Sequence, residues 1–526
     1  MFAMFAERNL LLTLLIAFFC CQSYADDSLK RIAIIGAGAA GSSTAYYLER
    51  FAQQSNMELN ITVFERNSYV GGRTTTVNAY GNSLESVEVG ASIFVDINTI
   101  LMNATALFGL TQRGDANFQE SVGIWNGNSF VYTQNTGMQF WDVAKLFWKY
   151  GLDPMRIDRL VQSVVGRFKK LYEGPFFPFR SLSDRARELD LASVSSQTGA
   201  QLIAANGIRA SFSTEIVQAS TRINYGQNVA SIHGLETIVS MVTGTTYQIQ
   251  GGNWRIFDRM LQTLNATTLL DTTISSISKS DGKYNVKIVS KDSITQELLE
   301  KEEPFDTVVL AGPFQYADIE FERDLLNRVP DEIPYVTLHV TLFTSKRTMS
   351  PSFFKLAPGE SVPTTILTTL PPGEVPDPTK SAGSPGFFTI TTLNRVVNPS
   401  TLDEEYLYKV FSREELDSSF LSRLLGTDLP NDLSTVKADS GDAITWYYHK
   451  VWQAYPYGSP RSTFEELELA RDFYYTGGME SFISTMETNA LMGMNVAKLI
   501  VDDYRRLSEE QASRSGQAVI TDMELD

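Results

Sequence analysis

The chain has 526 residues, with 61 acidic against 44 basic side chains, a formal net charge of −17, and 43% hydrophobic residues. That length accommodates roughly two to four domains with a sizeable core. An acidic balance without a Lys/Arg block excludes nucleic acid and strong attraction to an anionic membrane; an uncharged or zwitterionic apolar substrate, and peripheral contact with a neutral membrane, stay open.

In chain order, Arg8 precedes an apolar run from Leu10 to Cys21, and Ser23-Tyr24-Ala25 ends it with small residues. This pattern predicts a signal peptide over 1–25, cleaved after Ala25, and entry into the secretory pathway. The run is too short to cross about 30 Å of hydrocarbon, and no later stretch is long and apolar enough, so no transmembrane segment is expected. Both cysteines, Cys20 and Cys21, leave with that segment. Disulfides, zinc thiolates and a Cys nucleophile are thereby excluded from the mature chain. Asn60, Asn103 and Asn265 each open an Asn-x-Thr sequon and are candidate glycosylation sites.

Arg31 to Ile35 reads as a buried strand, Ala39 to Phe51 as a helix with Ala45, Leu48 and Ala52 on one side, and Leu59 to Phe64 as a second strand. Such alternation predicts a parallel sheet. Residues 141–222 are mostly helical in period, with Phe140, Ala144, Phe147 and Trp148 on one stripe. Thr272 to Ser290 is a predicted hairpin turning at Asp281-Gly282, and Tyr335 to Phe343 a half-buried strand. The last helix is expected from about Thr485 to Tyr504, followed by an acidic disordered tail.

Gly36-Ala37-Gly38-Ala39-Ala40-Gly41 is a G-x-G-x-x-G placed after a strand and opening a helix. Gly36 permits the tight turn, Gly38 lets backbone approach a pyrophosphate, and Gly41 lets helix pack on strand. The helix N-terminus favours the anion. Glu65 ends the second strand, where an acid bonds ribose hydroxyls. Arg66 to Arg73 then carries Gly71-Gly72-Arg73. It resembles the second fingerprint of the glucose-oxidase-like and amine-oxidase-like flavoproteins, in which the glycines pass the flavin's phosphate and Arg73 offers it a planar cation. Glu88-Val89-Gly90-Ala91-Ser92 resembles the segment beside the isoalloxazine, and Phe305 to Pro313 a late strand closing on the dinucleotide. Tyr475 to Glu480, containing Gly478, and the helix with Met486 and Glu487 resemble the C-terminal flavin segment. The cofactor implied is FAD.

Three further stretches are less generic: Arg222-Ile223-Asn224-Tyr225-Gly226-Gln227-Asn228, Ile232-His233-Gly234-Leu235, and Ser484-Thr485-Met486-Glu487. With the fingerprints, they make the chain similar to the prenylcysteine oxidases, which include farnesylcysteine lyase, over roughly residues 30–505. The resemblance implies an α/β fold, a Rossmann-type FAD-binding domain with an interleaved α+β substrate domain. The FAD-binding parts would be 28–100, 226–314 and 446–506, a mainly helical substrate segment 101–225, the substrate sheet 315–445, and the tail 507–526. It implies an oxidase that cleaves S-farnesyl- or S-geranylgeranyl-cysteine. Hydride leaves prenyl C1 for flavin N5, and water attacks the thiocarbenium carbon. Cysteine and a prenyl aldehyde separate, and O2 becomes hydrogen peroxide. It also implies a lysosome or vacuole, with an extracellular site as the alternative.

No side chain is required for hydride removal. Of three histidines, His233 is the catalytic candidate, His339 reads as structural, and His449 follows an aromatic run; no metal site is expected. Two other readings remain at this point: an amine-oxidase-like enzyme with another substrate, and a non-catalytic prenyl carrier of the same fold, as in guanine-nucleotide-dissociation inhibitors.

Overall fold

The computed structural model describes residues 29–113, 121–135, 139–291, 295, 297–374 and 382–523. The expected signal peptide with its two cysteines lies outside them.

In chain order, the elements that place the site are β1 (Lys30–Ile35), α1 (Ala39–Gln54), β2 (Leu59–Phe64), β3 (Thr76–Asn78), β4 (Ser86–Glu88), α2 (Thr99–Leu107), α3 (Gly234–Ser240), α4 (Trp254–Gln262), β5 (Thr267–Leu269), β6 (Thr307–Leu310), β7 (Tyr335–Ser345), β8 (Glu404–Ser412), β9 (Ile444–Pro456), β10 (Phe473–Tyr475) and α5 (Met486–Met523). A six-stranded sheet runs Glu468–Ala470, β10, β6, β1, β2, β5. From β10 to β5 every pairing is parallel. Helices and strands cover both of its faces, so β1 carries Ile32, Ala33 and Ile34 with no side preference, all fully buried. Helix α1 lays Ala45, Leu48 and Ala52 on the core, as its period predicts. Its other side is small, and α5 exploits this: a Cβ on Gly493 would come within 2.3 Å of the Ala40 carbonyl.

The predicted hairpin forms, with strands Thr272–Ser280 and Lys283–Lys291. Asp281 and Gly282 both take positive φ, 50° and 78°, as a two-residue hairpin turn of this hand requires.

A second, seven-stranded sheet has β9 at one edge, followed by β7, β8, Thr389–Val397, Thr365–Thr368, Ser121–Trp125 and Phe130–Asn135. It gathers strands from segments far apart in sequence, and this corrects two expected boundaries. The hairpin 121–135 belongs to this sheet rather than to a helical segment. The return to the first sheet comes after Pro456, not at 446, because β9 hydrogen-bonds along most of β7. Strand β7 alternates as predicted up to His339, but from Val340 to Ser345 it is buried on both sides. Leu421, Leu424 and Leu425, on the helix Ser418–Leu425, close over Phe343, Tyr408 and Val410 there.

The stripe proposed around Phe147 and Trp148 is also corrected. Trp148 is 94% exposed and Phe147 40%, so helical period alone did not identify a buried face in Gln139–Tyr150. Phe140 and Ala144 lie among the residues whose side chains are outside the description. The last helix runs past Tyr504 to Met523, through the stretch expected to be disordered. Glu, Gln, Arg and Ala in 505–518 favour helix continuation.

Candidate functional site

The turn between β1 and α1 is built as the glycine spacing requires. Gly36 takes φ +108°, and its N–H donates to the Phe64 carbonyl at 2.7 Å. A Cβ on Gly41 would lie 1.8 Å from the Gly36 carbonyl oxygen, so only glycine lets α1 fold back on the turn. Gly38 is different. A Cβ there would meet nothing closer than 3.9 Å, the Gly71 carbonyl oxygen. No protein atom demands glycine at this position, so the bare backbone is available to a ligand.

Across from it runs the second glycine pair. Gly71 and Gly38 form an isolated parallel bridge, and the Gly71 N–H donates to the Ala37 carbonyl at 2.9 Å. Gly71 and Gly72 both have positive φ, +117° and +60°. The N-cap of α1 is Gly38, which has no side chain to accept from the first-turn N–H groups, and no acidic residue stands in that turn. Ala39 and Ala40 therefore begin a 16-residue helix whose positive end lacks a capping side chain and lies beside a glycine-lined gap. This arrangement fits a pyrophosphate.

Glu65 is buried at the end of β2. One carboxylate oxygen accepts the Ala37 N–H at 2.8 Å and the other accepts the backbone and side-chain N–H groups of Asn67. The acid thus braces the glycine turn at its open edge. Arg66 points away: its guanidinium donates to the Tyr316 carbonyl and lies 3.6 Å from Asp318 at the surface. Arg73 does not stand free for a phosphate. It pairs with Glu480 and donates to the Ala454 carbonyl at 2.6 Å. The other Glu480 oxygen accepts from the Tyr335 hydroxyl at 3.0 Å. Burial, with the Glu480 charge second, holds the Tyr335 hydroxyl well above the usual phenol range. This network, buried at Glu480 and partly covered at Arg73 and Tyr335, ties the Gly71–Arg73 segment to the Gly477–Ser481 turn, which carries Gly478, and to the second sheet.

Gly90, Ala91 and Ser92 form a half-buried stretch beside Arg73, whose carbonyl accepts the Ala91 N–H. A Cβ on Gly90 would strike that same carbonyl at 1.8 Å. From the second sheet, Lys409 reaches over the Phe411 ring and donates to the Glu88 carbonyl and to Ser92 Oγ, each at 2.7 Å. Burial pushes the Glu88 carboxyl up and the Lys409 ammonium down. Met486 is buried at the first turn of α5, where Thr485 and Thr488 cap each other reciprocally. Its neighbour Glu487 serves another helix: it accepts the Ile100 and Leu101 N–H groups at the start of α2 and the Tyr172 hydroxyl.

His233 is corrected by its surroundings. Its ring is fully buried, and Nδ1 accepts the Glu236 N–H at 3.3 Å as the N-cap of α3. Burial pulls its pKa down to about 3, so it is neutral under ordinary conditions. A ring closed off from solvent and used as a cap has no access to substrate. His339 and His449 are cross-strand neighbours, with Nδ1 and Nε2 3.0 Å apart on β7 and β9. No metal-holding group is found among the described residues.

Two features were missed from sequence. Gly251-Gly252, both at positive φ, turn into α4, and Trp254 packs so closely on the first loop that a Cβ on Gly71 would lie 2.9 Å from its own Cβ. The Gly-Gly pair before a helix was the available signal. The second is an apolar sheet face. Leu338, Val340, Leu342 and Leu407 are buried there with Val87 and Val89, while Tyr80, Trp446, Tyr448, Trp452 and Phe411 are half-covered. Trp446 and Tyr448 stack with centroids 6.4 Å apart. Alternation along β9 was its signal. Val89 adjoins Gly90, so this face reaches the edge of the glycine-lined site.

The architecture is shared with solved structures of an oxidase and an isomerase. A putrescine oxidase triple mutant superimposes with TM-score 0.55 at 14% identity, covering 90% of this chain and 99% of that one. A CLA-producing fatty acid isomerase from P. acnes gives 0.54 at 15% identity, covering 89% and 97%. Residues 34–105 match the NAD(P)-binding Rossmann-like domain. Residues 133–513 match the prenylcysteine lyase family, and the chain belongs to it. It is 28% identical to farnesylcysteine lyase of Arabidopsis thaliana, over 93% of this chain and 91% of that one. It is 26% identical to prenylcysteine oxidase 1 of Homo sapiens, over 89% and 88%.

Proposed function

We propose that this protein is an FAD-dependent oxidase that cleaves S-prenyl-L-cysteine to a prenyl aldehyde and cysteine in the breakdown of prenylated proteins. The observation that carries it is the absence of any side chain over Gly38, opposite Gly71-Gly72, in a chain whose half-covered aromatic sheet face packs on Val89, the neighbour of Gly90. Bound FAD supplies the hydride acceptor for the C1–H of the prenyl group. Gly36, Gly38, Ala39, Ala40 and Gly41 present backbone and a helix N-terminus to its pyrophosphate. Glu65 holds the turn and takes the ribose edge. Gly71 and Gly72 admit the cofactor past the chain, while Arg73, through Glu480, fixes the Gly478 turn against it. Gly90, Ala91 and Ser92 line the ring, and Met486 closes the far side. Trp446, Tyr448, Trp452 and Phe411 hold the prenyl chain and keep out stray water.

The overall change is thioether plus O2 plus water to thiol, aldehyde and hydrogen peroxide, with O2 the terminal acceptor. The cleaved chain travels the secretory pathway to a lysosome or vacuole, where prenylated proteins are degraded, and touches membranes only peripherally. All three sequon asparagines have exposed side chains, but only Asn265 lies in a loop; Asn60 is in β2 and Asn103 in α2. Asn265 is therefore the favoured glycan acceptor, and Asn265→Gln is expected to remove one glycan's mass from the secreted protein. Aerobic incubation with S-farnesyl-L-cysteine tests the activity. Farnesal, cysteine and peroxide should appear in equal amounts; a flavin-loaded enzyme that forms peroxide without farnesal would refute the assignment.

A further inference from the structure

The hairpin β3–β4 has two faces. Val87 and Val89 point into the aromatic sheet face, and Glu88, between them, points to the opposite side. There it lines a cavity of about 370 Å³. Thr76, Gln112, Arg113, Gln248 and Gln250 contribute to the same walls.

The chemistry of this cavity is unlike the rest of the site. One Glu88 oxygen accepts the Asn253 N–H at 2.6 Å and is spent on the start of α4. The other, Oε2, is buried and has no hydrogen-bond partner, although Glu88 is only 8% exposed. A buried carboxylate oxygen left unpaired is costly, and a cationic donor is what removes the cost. Arg113 lies at the exposed side of the cavity; its guanidinium makes no hydrogen bond or contact ion pair among the described residues and stands within electrostatic reach of Glu85 and Glu88. The remaining polar side chains of the walls are neutral: the amides of Gln112, Gln248 and Gln250 and the hydroxyls of Thr76, Ser86 and Thr111. A carboxyl with one oxygen that accepts no hydrogen bond, a guanidinium that donates none, and neutral donors and acceptors between them complement a zwitterion. They do not complement a prenyl chain, which would leave those groups unsatisfied.

We propose that this cavity seats the amino-acid end of the thioether substrate, its ammonium on Glu88 Oε2 and its carboxylate on Arg113. The inference rests on the prenylcysteine reading above and assigns the two ends of that substrate to the two faces of one hairpin. The sulfur and prenyl C1 then fall near Gly90, two residues beyond Glu88. Glu88 and Arg113 act as specificity residues and take no part in bond breaking.

The test uses the FAD-loaded enzyme and three compounds: S-farnesyl-L-cysteine, S-farnesylcysteamine, which lacks the carboxylate, and 3-(farnesylthio)propanoic acid, which lacks the ammonium. Farnesal formation is followed for the wild type, Glu88→Gln and Arg113→Gln. Glu88→Gln keeps an acceptor for the Asn253 N–H, and Arg113→Gln changes an exposed side chain. Glu88→Gln should raise KM for farnesylcysteine about tenfold with kcat little changed, and leave KM for the propanoic acid as in the wild type. Arg113→Gln should do the same with respect to the cysteamine. Calorimetric titration with S-methyl-L-cysteine supplies a reading independent of turnover, with affinity expected to drop about tenfold in each variant. If the wild type binds S-methyl-L-cysteine and the variants lose it, but no farnesal forms, the cavity assignment stands and the proposed reaction falls. If both variants bind S-methyl-L-cysteine and treat the three compounds as the wild type does, the cavity assignment is overturned.

Discussion

Gly38 and Gly41 stand three residues apart in one motif, yet their reasons for being glycine differ. Gly41 is held by protein packing, since its Cβ would meet the Gly36 carbonyl at 1.8 Å. Gly38 is held by nothing in the protein, with its nearest neighbour at 3.9 Å. Gly38→Val should therefore fold with nearly wild-type thermal stability when stripped of cofactor, and purify with little flavin. Gly41→Ala should lose about 3 kcal/mol or more through overpacking, cofactor or not. Comparing melting temperature with flavin absorbance separates the two; a Gly38→Val protein with full flavin content would refute the pyrophosphate assignment. Arg222 makes a second residue-scale case. It is fully buried, donates to Thr368 Oγ1, Asn228 Oδ1 and the carbonyls of Ala382 and Phe387, and stacks on Phe388. Burial pulls its pKa down to about 9, but it remains a cation held by neutral acceptors. Arg222→Met strands those acceptors in the interior and should cost at least about 3 kcal/mol by denaturant unfolding. Arg222→Lys should recover little of this, because an ammonium cannot span the same fork.

Among the elements, α3 owes its start to a histidine. His233 accepts a backbone N–H only while neutral, and burial pulls its pKa from 6.5 down to about 3. Above 6.5 the folded and unfolded chains both hold it neutral, and the cap is worth its full amount. Between 6.5 and 3 the unfolded chain binds a proton that the folded chain refuses, so stability falls as pH falls. Glu236 beside it is pushed up by burial and contributes in the opposite sense, losing stability as pH rises above its ordinary 4.5. His233→Asn keeps a cap acceptor and removes the first slope. Its melting temperature should therefore drop less than that of the wild type between about pH 7 and about pH 5. An unchanged slope would show that His233 does not carry it. The packing of α5 on α1 is tested by Gly493→Leu, whose side chain has no room beside the Ala40 carbonyl; loss of both stability and flavin is expected, since α1 presents its N-terminus to the cofactor. Elements whose signal is local were legible: β1, α1, β2 and the Asp281-Gly282 hairpin follow from period and turn chemistry. The exposed Trp148 and the second burial of β7 were not, because what covers a face is supplied by another part of the chain.

At the scale of the molecule, Tyr504 is the last buried residue of α5 among those whose side chains are described, with Leu507 packed at the margin. A chain truncated after Leu507 should keep its melting temperature and flavin content, measured together; a drop in either would give the end of the helix a structural task. The first sheet is assembled from four separated stretches, residues 30–64, 267–269, 307–310 and 468–475, and the second from five stretches between 121 and 456. Order along the chain therefore located the pieces of the site but misplaced the points where the path crosses between sheets.

The amino-acid order by itself determined the glycine turn, the crossover unit around it, the cofactor class and the family. Each of these depends on backbone freedom and periodicity within a few dozen neighbouring residues. Only the tertiary structure decided that Arg73 is spent on Glu480, that His233 is closed off from solvent, that Glu88 keeps one oxygen without a hydrogen bond, and that aromatic residues of β8 and β9 pack with Val87 and Val89. Those facts turn on which distant groups meet. A side chain's charge, access and partners are set by contacts hundreds of residues away along the chain.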